Sequence, residues 1–123
     1  KQPYHLTLAD GTPFAFAGLF DLWRRAHDDW VRSFTILTTE PNSLVEPIHD
    51  RMPVILPADA HTLWLDPSIE DAEMLRPLLS AYPADRMRAV LVSTWVNKAG
   101  NEGPRCIEPS APEEAPRNLS LFD

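Results

Sequence analysis

The sequence contains few of the residues that build covalent or metal-held scaffolds. It has one cysteine, Cys106, and four histidines, and the histidines form no compact pattern of the His-Glu-x-x-His kind. A single cysteine excludes an internal disulfide and any cysteine-based zinc site, and it suits a reducing compartment. We therefore expect a cytoplasmic protein that uses no metal and no cofactor.

Long apolar runs and an excess of positive charge are also lacking. The longest apolar stretch, residues 14–20, is far shorter than the roughly 20 residues that a membrane-spanning helix needs, so we expect no membrane span. The formal net charge of -7 argues against a module that coats nucleic acid through bulk electrostatics, although it leaves room for local basic patches. No Gly-x-Ser-x-Gly motif, phosphate-binding glycine loop or dinucleotide fingerprint occurs, so the common hydrolase and nucleotide-binding classes lose support.

The first third of the chain has mainly strand composition. Residues 4–8 alternate loosely, an Asp-Gly turn signal follows, and residues 14–19 form an apolar run, which together predict a β-hairpin. Residues 33–39 are rich in β-branched side chains and predict a secure strand. The intervening residues 21–32 have scattered charges and apolar spacings that favour irregular structure with some helix.

The rest of the chain alternates between short helices and strands. Pro41 can occupy the first turn of a helix, Thr39 can cap it and Pro47 cannot continue it, which predicts a short helix over residues 42–46. Four further elements are a brief strand between two prolines, two helices of which the second is perturbed at a proline, and a final strand, predicted at residues 54–56, 58–65, 69–79 and 88–96.

This order of elements predicts an α+β fold in which short helices flank a bent, barrel-like, mainly antiparallel sheet. The strands are too few to close a barrel, so we expect an open edge and an incomplete domain. Residues 1–109 are expected to form part of one domain, and residues 110–123, rich in proline and glutamate, an extended tail. Because a strand begins almost at once, we also expect the natural N-terminus to lie upstream.

One loop carries the side chains best suited to chemistry. His49, Asp50 and Arg51 place an imidazole, a carboxylate and a guanidinium in consecutive positions, which can combine proton transfer with anion contact. A histidine in a loop more often has only a structural role, in which its ring forms hydrogen bonds to the loop backbone. Arg51 can grip a phosphate, but pairing with Asp50 or Glu46 is the more common role. The residues alone leave both alternatives open.

Other polar and aromatic residues give weaker signals. Thr38 and Thr39 can line a pocket at a strand end, yet threonine is also an ordinary strand and capping residue. The tryptophans can stack on nucleobases, but Trp64 lies on an apolar helix face and is expected in the core, and core positions are also favoured for Trp23 and Trp30. Cys106 follows a turn-rich loop with no positive helix end nearby, so a nucleophilic role is disfavoured.

Three sequence blocks, at residues 13–20, 35–56 and 92–97, resemble the SOS response-associated peptidase (SRAP) family in their order. The middle block is the specific one, because Ile-His-Asp-Arg-Met-Pro directly after a short predicted helix is hard to match by chance. Together the blocks span most of residues 1–109, whereas the flanking blocks would be weak alone.

The resemblance implies a protein that recognises abasic sites in single-stranded DNA and crosslinks to them. In that family an N-terminal cysteine attacks the ring-opened sugar with its α-amine and thiol to give a thiazolidine, and a glutamate and a histidine assist the proton transfers. His49 matches the histidine, which implies action on the sugar oxygen. Arg51, Thr38 and Thr39 are the candidates for lining the DNA groove. The resemblance also implies a peptidase activity that removes residues ahead of the cysteine.

The chain departs from the family in the other half of the site. The family's N-terminal Cys-Gly-Arg and its catalytic glutamate are both absent, so the resemblance covers about the C-terminal half of the domain. We expect the chain alone to be unable to crosslink DNA, and either the missing half or a partner chain to complete the sheet. Two other functions stay open: a non-covalent module for single-stranded DNA and an assembly fragment without activity.

Overall fold

A computed structural model describes residues 1–111 of the chain. The strands in this part are β1 Tyr4–Leu8, β2 Ala15–Phe16, β3 Gly18–Ala26, β4 Asp29–Ile36, β5 Thr38–Thr39, β6 Met52–Pro53, β7 Ile55–Leu56 and β8 Met87–Leu91. The helices are α1 His61–Leu65 and α2 Ala72–Leu75, with 3-10 turns at Ala58–Ala60, Arg76–Leu78, Ala84–Arg86, Thr94–Asn97 and Pro104–Ile107. Across residues 1–111, no helix combines the length and apolar character required to cross a membrane.

The strands pair two by two, as β1 with β8, β2 with β7, β3 with β4 and β5 with β6. The last three pairs are antiparallel, so short helices accompany an antiparallel sheet that does not close. The fold class predicted from the sequence is confirmed. The chain divides into two compact units, a larger one of Thr7–Arg88 and a smaller one that combines Lys1–Leu6 with the residues from 89 onward.

The sheet of the larger unit bends where three strand segments meet. Ala17, Leu37 and Val54 each separate two strands, and the three are joined by backbone hydrogen bonds. The Ala17 N–H donates to the Val54 oxygen (2.8 Å), the Leu37 N–H to the Ala17 oxygen (2.9 Å) and the Val54 N–H to the Leu37 oxygen (2.9 Å). Ala17 and Val54 are buried at this junction with Leu56, so the core lies at the bend.

The smaller unit is held by the ends of its two chain segments. The Val92 N–H donates to the Pro3 carbonyl (3.2 Å), and the Gln2 side chain donates to the Val92 carbonyl (2.8 Å). Farther along, the Arg105 guanidinium stacks 4.1 Å from the Trp95 ring centroid. Cys106 is half-buried, and its thiol donates to the Asn101 carbonyl at 3.6 Å.

Several predicted elements are confirmed. The strand over residues 33–39 exists as β4 and β5, with its interruption at Leu37, and residues 54–56 include β7. The helix over residues 58–65 consists of a 3-10 turn followed by α1. In the helix predicted over residues 69–79, α2 changes at Arg76 to a 3-10 turn that contains Pro77. The α-helix ends there because proline cannot donate the helical hydrogen bond.

The N-terminal hairpin prediction is wrong. The Asp-Gly turn forms, with Gly11 at φ 74° and its N–H donating to the Leu8 carbonyl at 3.0 Å. However, β1 pairs with β8, and Ala15 and Phe16 pair with Leu56 and Ile55 of β7. A turn sequence determines the local reversal of the chain, whereas the pairing partner depends on which distant apolar segments meet.

The irregular, partly helical structure predicted for residues 21–32 is also wrong, because β3 and β4 form a long hairpin there. The two strands reverse at His27 and Asp28, and Asp28 takes the left-handed conformation with φ 60°. Apolar and charged side chains occur on both faces of this hairpin, so the alternation that marks a half-buried strand is missing from the sequence.

Two further boundaries differ from the prediction. The final strand ends at Leu91, and residues 94–97 form a 3-10 turn capped by Ser93, whose hydroxyl accepts from the Trp95 N–H at 3.2 Å. Residues 43–48 form consecutive turns where a helix was predicted over residues 42–46. The tail predicted over residues 110–123 lies, from residue 112 onward, outside the described residues.

Candidate functional site

The candidate site lies on the loop between β5 and β6. These strands pair antiparallel, with Thr38 opposite Pro53 and Thr39 opposite Met52. The loop over residues 40–51 therefore leaves and returns at the same place, because its two ends are held side by side. This return places the last loop residue, Arg51, beside the strand from which the loop departs.

Asn42 anchors the start of the loop. Its side-chain oxygen accepts from the backbone N–H groups of Leu44 (3.1 Å) and Val45 (3.0 Å), and its amide nitrogen donates to the Tyr82 carbonyl (2.6 Å). Its backbone N–H contacts the sulfur of Met52, which is 2% exposed, at 3.3 Å. Asn42, not Thr39, caps the turn. An asparagine favours the start of a turn because its side chain bonds to the following backbone N–H groups. Its presence at this position is the sequence signal that could have identified the cap.

The turn that Asn42 caps delivers His49 to the surface. The Val45 carbonyl accepts from the N–H groups of both Ile48 (2.7 Å) and His49 (2.9 Å), and the Val45 side chain is 3% exposed. Pro47 lacks a backbone N–H, so regular helical bonding cannot pass through it. The buried Val45 thus fixes the inner side of the turn, and His49 follows at its outer end.

The loop backbone holds the His49 ring by one nitrogen. Nδ1 lies 3.0 Å from the Arg51 nitrogen, 2.9 Å from the Arg51 oxygen and 3.1 Å from an Asp50 carboxylate oxygen. In one tautomer Nδ1 accepts from the Arg51 N–H, and in the other it donates to the Arg51 carbonyl or to Asp50. The side chain is 55% exposed, and Nε2 makes no hydrogen bond to residues 1–111. The loop can therefore accommodate a proton on either nitrogen.

Arg51 binds an uncharged partner. Its Nη2 donates to the Thr38 carbonyl (2.7 Å) and the Thr38 hydroxyl (3.1 Å), and its Nε reaches the same hydroxyl (3.3 Å). The expected pairing with Asp50 or Glu46 is wrong, since neither carboxylate forms an ion pair with Arg51. The exposed guanidinium thus keeps its positive charge uncompensated within the described part, with Nη1 free of protein partners.

An open hollow of about 620 Å³ adjoins His49. Its lining comprises three carboxylate residues, His49 and three apolar residues, namely Glu40, Pro41, Glu46, Pro47, Ile48, His49 and Asp50. Three carboxylates against one imidazole make this hollow unfavourable for a phosphate. An uncharged group such as a sugar fits its charge better, and a phosphate is better placed on the Arg51 side of the loop.

The remaining sequence candidates are placed as follows. Thr39 belongs to β5 beside Thr38, and its hydroxyl makes no hydrogen bond to the described residues. Trp64 is a core residue as predicted, with its indole N–H donating to the Gly18 carbonyl at 3.2 Å. Trp23 and Trp30 are 58% and 57% exposed, so the core positions favoured for them are wrong. Within residues 1–111, His, Cys, Asp and Glu nowhere form a group of three that could hold a metal.

These features define a domain with a bent antiparallel sheet, one loop of which presents an exposed imidazole and a guanidinium that forms no ion pair with the described residues. The family model of the SOS response associated peptidase (SRAP) matches residues 1–99. The chain belongs to this family, as the loop sequence around His49 predicts.

Relatives with curated descriptions are similar to the chain over most of its length. "Abasic site processing protein YoqW" of Bacillus subtilis is 44% identical over 108 residues, which cover 88% of this chain and 48% of YoqW. "Abasic site processing protein HMCES" of Gallus gallus is 35% identical over 99 residues, covering 76% of this chain and 28% of that protein. The chain thus spans about half of YoqW and less of HMCES.

Solved structures show the same fold. A crystal structure of a Bacteroides thetaiotaomicron protein superposes with a TM-score of 0.75 at 29% identity, covering 89% of this chain and 49% of that one. A Bordetella bronchiseptica protein gives a TM-score of 0.65 at 38% identity, covering 75% of this chain and 46% of that one. In both, this arrangement occurs within a chain about twice as long.

Proposed function

We propose that residues 1–109 act as the histidine-bearing, C-terminal part of an SRAP domain that senses abasic sites in single-stranded DNA. In this proposal the domain forms a thiazolidine crosslink through an N-terminal cysteine that this sequence does not contain, and residues 110–123 form a tail. Support comes from the family membership, from relatives described as abasic site processing proteins, and above all from the exposed, singly held ring of His49.

His49 is the proposed proton-transfer group. Because the Arg51 backbone offers Nδ1 both a donor and an acceptor, Nε2 can either donate a proton or accept one without the ring moving. Opening the sugar ring of an abasic site requires a proton to leave the anomeric hydroxyl and one to reach the ring oxygen. Nε2 can serve the sugar oxygen in this step and in the reverse reaction.

Arg51 is the proposed phosphate contact. A guanidinium grips phosphate through its N–H groups, and Nη1 stays available while Nε and Nη2 hold Thr38. Thr38 and Thr39 would line the same side of the DNA path. A DNA strand held there would present its sugar towards the hollow beside His49 and keep its phosphates away from Glu40 and Glu46.

The cysteine's amine and thiol would also serve the peptidase activity that the family name describes. In this assignment the chain alone is inactive, because it supplies only the histidine side of the site. A cytoplasmic location remains our expectation, based on the single cysteine.

The test uses an SRAP protein that carries these residues together with the family's N-terminal cysteine segment. It is incubated with single-stranded DNA containing one abasic site, heated in detergent and separated by electrophoresis. We expect a heat-stable adduct, whose formation slows about 100-fold in His49→Ala because general acid–base catalysis is lost. His49→Asn should be equally slow, since its amide can replace Nδ1 but not Nε2. His27→Ala, which changes an exposed histidine of the β3–β4 turn, should keep the full rate.

Other outcomes would contradict the proposal. A wild-type rate in His49→Asn would reduce His49 to a support of the loop backbone. Salt-sensitive binding without any heat-stable adduct would favour a non-covalent module for single-stranded DNA. Absence of both adduct and binding would favour an assembly role.

A further inference from the structure

A second hollow lies on the larger unit, and it shares no lining residue with the hollow beside His49. Its volume of about 340 Å³ is at the small end of the roughly 300–1,000 Å³ that is usual for sites of small molecules. Half of its lining is apolar, and the polar half consists of Asp10, Thr12, Asp59, His61, Tyr82 and Arg86. An apolar wall with a few convergent polar groups is the usual construction of such a site.

Two opposite charges are fixed near each other at this hollow. The Ala9 N–H donates to the Arg86 carbonyl at 2.8 Å, which brings the turn after β1 against the residue before β8. Asp10 is held in that turn, because one of its carboxylate oxygens accepts from both the N–H (2.9 Å) and the hydroxyl (2.7 Å) of Thr12. The Arg86 guanidinium lies over the Tyr82 ring, 5.5 Å from its centroid. Both charged side chains are therefore in place before a ligand binds.

The polar groups at this hollow retain unused hydrogen-bonding capacity. Within residues 1–111, Arg86 forms no ion pair, and its guanidinium donates no hydrogen bond. The hydrogen bonds from Thr12 use only one of the two carboxylate oxygens of Asp10. Tyr82 is 7% exposed, yet its hydroxyl has no partner among the described residues, although a buried phenol normally finds one. Donors and an acceptor for a polar ligand are thus available.

Carboxylates outnumber the guanidinium at this place. Asp59 also lines the hollow, and a smaller hollow of about 150 Å³, which shares Asp10, Tyr82 and Arg86, adds Asp85. This excess of negative charge disfavours a phosphate or another free anion and favours an ammonium group. A simple amine would leave the Arg86 N–H groups without an acceptor and would add a like charge beside them. The charges therefore fit a ligand that carries both an ammonium group and a carboxylate.

The apolar wall of the hollow is well packed. Leu8 and Leu56 are 9% and 5% exposed, and the Phe14 ring contacts the Phe16 ring edge-on, with 5.5 Å between the centroids. An apolar side chain that is placed against this wall leaves water, which strengthens binding. The wall thus adds an apolar side chain to the ligand that the charges define.

We propose that this hollow binds a free α-amino acid with a large apolar side chain. The ligand carboxylate pairs with Arg86 and accepts from the Tyr82 hydroxyl, the ammonium group pairs with Asp10, and the side chain lies against Phe14 and Leu56. The proposal is independent of the proposed DNA chemistry, because the two hollows have no residue in common.

The test is isothermal titration calorimetry of the 123-residue chain with L-phenylalanine. We expect saturable one-to-one binding. Phenethylamine lacks the carboxylate and 3-phenylpropionate lacks the ammonium group, so each should bind at least about tenfold more weakly, because one charge of the hollow loses its partner. Glycine should also bind at least about tenfold more weakly, since it buries no side chain.

Two substitutions distinguish the ends of the ligand. Arg86→Gln should weaken the binding of L-phenylalanine at least about tenfold but should not weaken that of phenethylamine, which has no carboxylate to pair. Asp10→Asn should weaken the binding of both. A misfolded variant would not retain phenethylamine binding, so the selective loss separates recognition from folding. Arg32→Gln, which changes an exposed arginine of β4, is the matched control and should bind like the unmodified chain.

The proposal is overturned if L-phenylalanine gives no saturable heat, or if Arg86→Gln weakens the binding of L-phenylalanine and phenethylamine equally. It is also overturned if guanosine or inorganic phosphate binds more tightly than L-phenylalanine, because the hollow would then recognise a different class of ligand.

Discussion

The Arg51 Nη2 lies 2.7 Å from the Thr38 carbonyl oxygen, and this contact bridges the two ends of the loop that carries His49. The pair is exposed, so its net contribution to stability is about 0.5–1.5 kcal/mol at most. Its main effect is geometric. It holds the guanidinium against β5, where no carboxylate of residues 1–111 pairs with it, and the Arg51 backbone in turn holds the imidazole.

Arg51→Lys should weaken the binding of abasic single-stranded DNA about tenfold. A lysine ammonium cannot reach the Thr38 carbonyl and hydroxyl while it also offers a planar pair of N–H groups to a phosphate. Arg51→Ala should also reduce the slope of log affinity against log salt by about 0.7, the value for one phosphate contact on a single strand. Fluorescence anisotropy at several salt concentrations measures both quantities.

A matched control is Arg76→Ala, because Arg76 is similarly exposed but forms an ion pair with Glu73. An equal loss of affinity in Arg76→Ala would mean that total charge, and not the position of Arg51, governs binding.

Asn42→Ala should lower the free energy of unfolding by about 1–3 kcal/mol. The substitution removes the acceptor for two turn N–H groups and the donor to the Tyr82 carbonyl, and the loss of a cap and of partly buried hydrogen bonds has this magnitude. Urea unfolding followed by fluorescence measures the difference. Asn42→Asp retains the acceptor but loses the donor, so an intermediate value is expected. Identical stability of all three proteins would show that the turn forms without its cap.

Asp28→Val should destabilise the β3–β4 hairpin by about 1–2 kcal/mol. Asp28 has φ 60°, a conformation that aspartate tolerates and that a β-branched side chain strongly disfavours. Asp28→Gly should be nearly neutral, because glycine adopts this conformation freely while its unfolded chain has more entropy to lose. Thermal unfolding compares the variants. A tolerated valine would indicate that the turn has rearranged.

Asp10 should make a small, pH-dependent contribution to stability. The Thr12 backbone N–H (2.9 Å) and then its hydroxyl (2.7 Å) hold the pKa of Asp10 below its ordinary value of 3.8. Because the folded pKa is lowered, the stabilisation is complete above pH 3.8 and is lost as the pH falls through the folded pKa. Asp10→Asn should therefore have a lower melting temperature near pH 6, and the difference should vanish at strongly acidic pH. A difference that is constant with pH would exclude this origin.

Local patterns were sufficient for elements whose neighbours in sequence determine them. The β-branched run of residues 33–39 predicted β4 and β5, and helical spacing over residues 58–65 predicted α1. The position of His49 at the end of a turn also followed from Pro47 and from the surrounding motif. The helix expected before it did not form, because Asn42 caps a series of turns instead.

Patterns failed where distant segments decide the structure. Residues 21–32 are apolar on both faces, so they lack the alternation that identifies a strand beside water, and only the pairing of β3 with β4 reveals one. Likewise, a turn directly follows β1 in the sequence, but β1 does not pair with the segment after that turn. It pairs with β8, about 80 residues away in sequence.

The sequence by itself determined the family, the fold class and the loop of His49, because these depend on residue identity and short-range spacing. Tertiary structure alone decided that Arg51 binds Thr38 and not a carboxylate, because the antiparallel pairing of β5 with β6 brings positions 13 residues apart together. It also decided that Phe20 and Phe34 share one exposed face, because the cross-strand register depends on the turn at Asp28 and on burial elsewhere in the fold.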